Sequence, residues 1–332
     1  MTTIGDVARD VGVAPSTVSY ALSGKRPISR MTRLRIEESM RRLGYRPRVR
    51  SVPGSCGSGA DPLALFAPVR SDTDHAVLLQ FIAAIGEAAR SQGRGLLLFS
   101  DEHGFADVER ALTGQFSGAA IVMDVEAADR RVPMLRASRI PTVFIGVPDQ
   151  ADGLYCVDFN FELAGSCAVS HLAGLGHREI GLIGSPRPAY KRGLGYARRL
   201  VQGFEKGARQ VGAHGCWAPC EPGRDEVRRC LDALTARLPN LTALIVHNEA
   251  ALPMVLSELS DRGLRVPQDM SVLAIAPQRS MEATPVTSIA IPVTQICRIA
   301  VAMVTDQVEA SSDPETRLLG PRIADHGTTR RV

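Results

Sequence analysis

The chain has 332 residues, enough for two or three domains at roughly 150 residues each. Its composition, 45% hydrophobic and 22% charged, is that of a globular protein; no run approaches the ~20 apolar residues of a membrane span, and no basic-then-apolar leader opens it, so a cytoplasmic protein with no membrane partner is expected. The net charge of +4 is unevenly placed, because residues 1–50 hold eleven Lys or Arg against four Asp or Glu, and positive charge gathered at one end is the footprint of a nucleic-acid module.

Thr3 with Asp6 three residues on has the form of a capping box, in which the hydroxyl takes an orphan backbone N–H and the acid reaches back. Ile4, Val7, Ala8 and Val11 recur at helical spacing, and Gly12 supplies a left-handed stop. Pro15 suits the first turn of a second helix, where its missing N–H is not needed. In that helix Val18 and Leu22 share a face that packs on the first helix. Ser16 and Tyr20 share the opposite face, one turn apart, placed to reach base edges in a major groove. Thr17 and Ser19 are short hydroxyls suited to phosphates. A third helix is predicted from about Ser29 to Leu43, with Ile36, Met40 and Leu43 inward and Arg30, Arg33, Arg35, Arg41 and Arg42 outward. The bland alternative is an αα-hairpin with a solvated basic face. Cap, turn, reading face and charge coincide in favour of a helix-turn-helix.

Thr3-Ile4-Gly5-Asp6-Val7-Ala8, Gly12-Val13, Thr17-Val18-Ser19, Leu22, Thr32-Arg33 and Leu43-Gly44-Tyr45-Arg46-Pro47 resemble the headpiece of the lactose-repressor/galactose-repressor (LacI-type) family of transcription regulators. The resemblance implies base contacts from Pro15, Ser16 and Tyr20. It implies phosphate contacts from Thr3, Thr17, Ser19, Ser23, Ser29 and Thr32, and Arg33 is a further candidate for phosphate. Ala14 stands where the family usually has Ser, which removes a helix cap and a phosphate contact.

The headpiece is expected over residues 1–48. Residues 49–61 read as a flexible linker, since Pro53, Gly54, Gly57 and Gly59 prevent a stable helix. The family has an Asn here, then an Ala-Arg-x-Leu hinge helix whose Leu wedges into the minor groove. Arg48 takes the Asn place, Ser51 and Val52 the Ala and Arg places, and Gly54 the Leu place. Little intercalation and a small DNA bend are therefore expected.

From Pro62, short apolar runs alternate with amphipathic helical stretches in two successive series, the pattern of parallel βαβ units. The runs are Leu63–Val69, Gly95–Phe99, Gly118–Met123, Thr142–Val147, Tyr155–Asp158, Ile180–Ile183, Ala243–Val246, Met270–Ala276 and Thr316–Leu319. The helical stretches lie near His75–Ser91, Ala106–Phe116, Arg130–Ser138, Asn160–Leu175, Tyr196–Val211, Asp225–Arg237, Glu249–Arg262 and Thr294–Glu309. The expected class is α/β: an all-α helix-turn-helix headpiece, then over 62–332 a doubly wound parallel-sheet domain in two lobes with a cleft between them. Lobe 1 is drawn at about 62–157 and 290–322, lobe 2 at about 158–289. His171-Leu172, Gly176-His177-Arg178-Glu179-Ile180-Gly181-Leu182-Ile183-Gly184, Gly203-Phe204 and Val266-Pro267-Gln268-Asp269-Met270-Ser271-Val272 resemble the same family, whose effector domain has the periplasmic sugar-binding-protein fold.

Strand C-terminal ends line the crevice in such folds. The candidate effector contacts are therefore Asp158, Asn160, Arg192, Arg198, Arg199, Asn248 and Glu249, with His247 and the Pro186–Arg192 loop beside them. The bland readings are that Asp158 and Asn160 cap the helix they precede and that the arginines are solvated. His171 and His177 read as structural. The seven cysteines lack framework spacing and read as reduced thiols; Cys216, Cys220 and Cys230 have no partner His at finger-like spacing, so neither metal nor cofactor is expected. No Gly-x-Ser-x-Gly, HExxH or Walker motif points to an enzyme. A periplasmic-type binding protein would not need the headpiece. The resemblance implies a homodimer on a near-palindromic operator, controlled by a small effector. Sugar-binding members carry an acid at the end of the strand that here closes on Ala276-Pro277, and an Arg where this chain has Leu200. A simple neutral hexose is therefore not expected as effector. The expectation is a less polar one, an anionic one using Arg192, Arg198 or Arg199, or a regulator without a bound effector, the alternative being that Glu249 or Asp158 supplies the missing acid from another direction.

Overall fold

The computed structural model describes residues 3–23, 28–43, 61–70, 73–113, 116, 118–138, 140–281, 285–309 and 313–332. The linker and its hinge expectation lie outside the described residues.

Residues 3–43 form three helices, α1 (Ile4–Val11), α2 (Pro15–Ser23) and α3 (Arg30–Leu43). The capping box forms: Asp6 N donates to Thr3 Oγ1, and the Asp6 carboxylate accepts from Thr3 N at 2.9 Å. Gly12 ends α1 at φ 74°, in the left-handed region where glycine carries no steric penalty. Val7, Ala8, Val11, Val18 and Ile36 make the small core. Arg35 and Arg42 are exposed, as expected, and at the same time bind α3 to α1. Arg35 donates to the Val11 carbonyl at 2.9 Å, and Asp10 receives both Ser39 Oγ and Arg42 at 2.5 Å. Those two donors hold the Asp10 carboxyl below its ordinary range. A core this small needs such ties, and the orphan carbonyls at the end of α1 supply one acceptor.

The α/β body runs β1 (Leu63–Phe66), α4 (His75–Ser91), β2 (Leu96–Phe99), α5 (Phe105–Thr113), β3 (Ala119–Val122), α6 (Arg131–Ala137), β4 (Thr142–Ile145) and β5 (Tyr155–Phe159). It continues with α7 (Phe161–Gly174), β6 (Glu179–Gly184), α8 (Arg187–Arg192), α9 (Gly195–Val211), β7 (His214–Pro219), α10 (Arg224–Arg237), β8 (Ala243–Val246) and α11 (Leu252–Asp261). It closes with β9 (Ser271–Pro277), α12 (Gln278–Met281), β10 (Ser288–Ile291), α13 (Val293–Glu309), β11 (Thr316–Leu319) and β12 (Ile323–Ala324). Two six-stranded sheets result, ordered β11-β5-β4-β3-β1-β2 and β12-β10-β9-β8-β6-β7. Every pairing is parallel except β10 with β12. The inner strands are buried on both faces, as parallel sheets covered by helices require.

The chain passes between the sheets at Phe159–Phe161, at Ile291–Val293 and between Leu319 and Ile323. These crossings correct the boundaries drawn at 157 and 290, because β5 stays in the first sheet to Phe159 and β10 in the second to Ile291. Residues 323–332, which the sequence left without a lobe, are bound to the second. Val272 N donates to Thr328 O at 2.8 Å, and Val332 N to Leu175 O at 3.0 Å. His177 Nε2 donates to the Arg330 carbonyl at 3.1 Å, which leaves Nδ1 to accept from the Thr242 hydroxyl at 2.8 Å. Helices α7 and α9 cross at backbone contact: a Cβ on Gly203 would stand 1.9 Å from Glu162 O, and one on Gly165 2.5 Å from Leu200 O.

Candidate nucleic-acid interface and effector cleft

In the headpiece Val18 is fully buried, which anchors α2 by its inner face. Pro15, Ser16 and Ser19 are exposed and Thr17 and Tyr20 half-buried, so the first two turns of α2 present a short polar ridge. The side chains of Leu22 and Ser23 lie outside the described residues. Ser29 Oγ accepts from Thr32 N at 3.1 Å and meets Thr32 Oγ1 at 2.8 Å. That closes the first turn of α3, whose N-terminal end also favours an anion. Arg33 stands exposed in the same turn. Thr3 donates its hydroxyl to Asp6 at 2.7 Å, so its first duty is the cap.

In the α/β body a cavity of about 690 Å³ opens between the two sheets. It lies at the strand ends: Ala67 and Pro68 follow β1, Met123 and Asp124 follow β3, Ser185 follows β6, and His247, Asn248 and Glu249 follow β8. Phe161, Tyr196 and His247 form an aromatic wall, their ring centroids 5.6 to 5.8 Å apart. Burial lowers the His247 pKa to about 4, so its imidazole is neutral. Burial raises that of Glu249 to about 7, with Asp74 across the cleft adding to the rise. Asp124 has φ 55°, uncommon outside glycine but tolerated by Asp, and its carboxylate is paired with Arg70. Beside the cavity the lobes are joined through the backbone: Ala127 N donates to Gly193 O at 2.8 Å and Gly195 N to Val125 O at 3.2 Å. Separation of the lobes must break both.

Asp158, Arg192, Asn248 and Glu249 line this cavity; Asn160, Arg198 and Arg199 do not. Asn160 caps α7, its Oδ1 accepting from Leu163 N at 3.0 Å, which is the bland alternative weighed above. Arg198 points to Asp149 at 3.6 Å, both side chains well exposed. Arg199 donates to Asp158 at 2.5 Å and to Gly195 O at 3.1 Å. Burial keeps the Asp158 pKa raised despite that guanidinium. Two of the three arginines expected to receive an anionic effector are thus occupied elsewhere. Asn248 is bound at both ends of its amide, Nδ2 to Cys220 O at 2.7 Å and Oδ1 from Ala251 N at 3.1 Å. The Pro186–Arg192 segment, read as a loop, is helix α8. Phe161, Tyr196, Asp74, Asp124 and Glu221 were missed; the strand-end rule that found Glu249 reaches Asp124 as well. Cys216, Cys220 and Cys230 are buried free thiols in the core of the second lobe.

The two arginines are expected to respond differently to removal. Arg199→Ala strands a buried Asp158 carboxylate and should cost roughly 3 kcal/mol of stability, whereas Arg198→Ala should cost under about 1 kcal/mol. Urea midpoints compare them; equal losses would mean that the Asp158 pair is not a buried one.

Residues 3–48 match the model of the bacterial regulatory proteins of the lacI family, and residues 169–329 that of a periplasmic binding protein-like domain. Catabolite control protein A of Priestia megaterium is 26% identical over 91% of each chain. The HTH-type transcriptional regulator MalR of Streptomyces coelicolor is 24% identical over 99% of this chain and 96% of its own. The structure of the lac repressor dimer bound to operator and the anti-inducer ONPF shares the fold, with a TM-score of 0.70 at 22% identity and 99% of each chain covered. With a capped helix-turn-helix ahead of two parallel-sheet lobes around a cavity, this chain belongs to the LacI family and is a DNA-binding transcriptional regulator with a periplasmic-binding-protein-like effector domain.

Proposed function

We propose that the protein is a cytoplasmic repressor that binds a near-palindromic operator as a homodimer, one headpiece per half-site. Pro15, Ser16 and Tyr20 read bases; Thr3, Thr17, Ser19, Ser23, Ser29, Thr32 and Arg33 hold phosphates. The observation that carries this reading is the outward polar ridge of α2 on a unit rich in arginine. A small molecule bound among Asp158, Arg192, Asn248 and Glu249 would shift the population between DNA-binding and released forms through its different affinity for the two. The cleft lacks an acid at the end of β9, where Pro277 lines the wall, and this supports the exclusion of a simple neutral hexose. A mobility shift on the DNA upstream of the protein's own gene, followed by footprinting, is the test. Absence of a protected symmetric site would end the proposal.

The dimer has support in the first sheet. β2 is its edge strand, yet Leu97 and Leu98 are 37% and 47% exposed, and Leu79 on α4 is 63% exposed. An uncovered apolar edge invites a second copy. Leu98→Asp is expected to yield monomers by sedimentation and to weaken operator binding at least tenfold, ~1.4 kcal/mol. A variant that remains dimeric would place the interface elsewhere.

A further inference from the structure

We propose that the cleft takes an organic cation, an ammonium or amidinium group on an apolar body, held between the Glu249 and Asp74 carboxylates against Phe161, Tyr196 and His247. The inference rests on the cleft being the effector site. Among the described lining residues, Asp74, Asp124, Asp158, Glu221 and Glu249 face the guanidinium of Arg192. Asp124 and Asp158 are answered by Arg70 and Arg199. Glu221 accepts from Arg187 N at 2.9 Å with one oxygen. Asp74 uses one oxygen on the first amides of α4, at 2.9 and 3.0 Å. Among the described residues no cation acts on Glu249; what acts on its carboxyl, besides burial, is its own backbone amide and Asp74. Acids from opposite lobes therefore repel across the cavity, and a cation between them would relieve that repulsion and draw the lobes together.

The neutral hydrogen-bonding groups on the wall are largely committed. Both ends of the Asn248 amide are bound, Thr73 Oγ1 accepts from Arg70 N at 2.8 Å, and Ser185 Oγ meets His247 Nδ1 at 3.4 Å. Little remains for a ligand rich in hydroxyls. The rings suit a cation, because an aromatic face attracts positive charge. His247 is only 5% exposed, and among the described residues its Nε2 has no hydrogen-bond partner, which leaves a neutral imidazole nitrogen at the cavity able to accept an ammonium N–H in the tautomer with the proton on Nδ1.

Glu249 must be ionised to bind a cation. Affinity should therefore rise with pH up to about 7 and level off above it. The titratable and charged groups that face it from the packed elements are Asp74 at the N-cap of α4, Asp124 after β3, Glu221 after β7, Arg192 on α8 and His247 after β8, the last held neutral by burial.

The test is a charge series of one shape, benzylamine, benzyl alcohol and benzoate, with glucose, titrated into the intact chain by calorimetry. Benzylamine should bind tightest. Its affinity should fall nearly tenfold for each pH unit well below 7, with proton release visible as buffer-dependent heat. Glu249→Gln should abolish both the preference and the proton release without lowering Tm. Equal or tighter binding of benzyl alcohol, benzoate or glucose overturns the proposal, as does a Glu249→Gln variant that keeps the preference. Failure of benzylamine to bind at roughly 20 mM, the weak end for a fragment of that size, overturns it too. Binding of benzylamine that leaves operator affinity unchanged upholds the cation site and refutes the effector reading instead.

Discussion

Gly203→Ala is expected to cost roughly 3 kcal/mol or more in urea unfolding, beyond the usual range for adding one methyl to a packed site. The Cβ would lie 1.9 Å from Glu162 O and 2.6 Å from its carbonyl carbon. Those are backbone atoms, so no side chain can turn aside. The α7–α9 pair must separate, and with it the support of Phe161 and Tyr196, which these helices carry into the cavity wall. Gly174→Ala, at the end of α7 with nothing within 4 Å, is the control and should be neutral or slightly stabilising. If the two variants unfolded at the same urea concentration, the close crossing would not be the constraint described.

Tyr20→Ala should weaken operator binding by roughly 1–3 kcal/mol at each half-site and blur the preference at one base position. Two half-sites double the loss, so the affinity of a dimer falls by one to four decades, on the order of 2–6 kcal/mol. Arg33→Ala should weaken all sequences alike and lower the salt slope by about 1, because a phosphate contact carries no base information. Competition binding against single-base operator variants separates the two. A Tyr20→Ala protein with unaltered base preference would show that α2 is docked differently.

Most elements were legible because their signals are local. The spacing of apolar residues placed α4 at its observed ends, His75–Ser91, and the box at Thr3 and Asp6 marked the start of α1. Three strands were missed. β7 is an edge strand that begins His-Gly, β10 has four residues and β12 two; short or half-exposed strands show neither alternation nor a long apolar run. Pro188 made α8 look like a loop, although proline is at ease in a first turn. At the cleft, the strand-end rule reached Asp158, Asn248 and Glu249. It could not tell that Asn160 turns back to cap its own helix, nor that Arg199 would be taken by Asp158. Which of two available partners a side chain binds is decided by packing between elements far apart in sequence.

The third crossing, at Leu319–Ile323, bears on how the protein is made. Helix α13 packs on α4, β3, β4 and β5, and β11 completes the first sheet beside β5, with Thr316 opposite Cys156. Both are synthesised after nearly all of the second lobe. A chain emerging from the ribosome at roughly 5–20 residues per second therefore carries an unfinished first sheet, with the surface meant for Ile296, Cys297, Ala300, Val301 and Val304 still wet, while the second lobe is translated. The first lobe begins earlier and receives its last helix and strand only after most of the second has been made, so a ribosome stalled near residue 290 would hold a long-lived apolar surface, the kind of nascent species that chaperones engage.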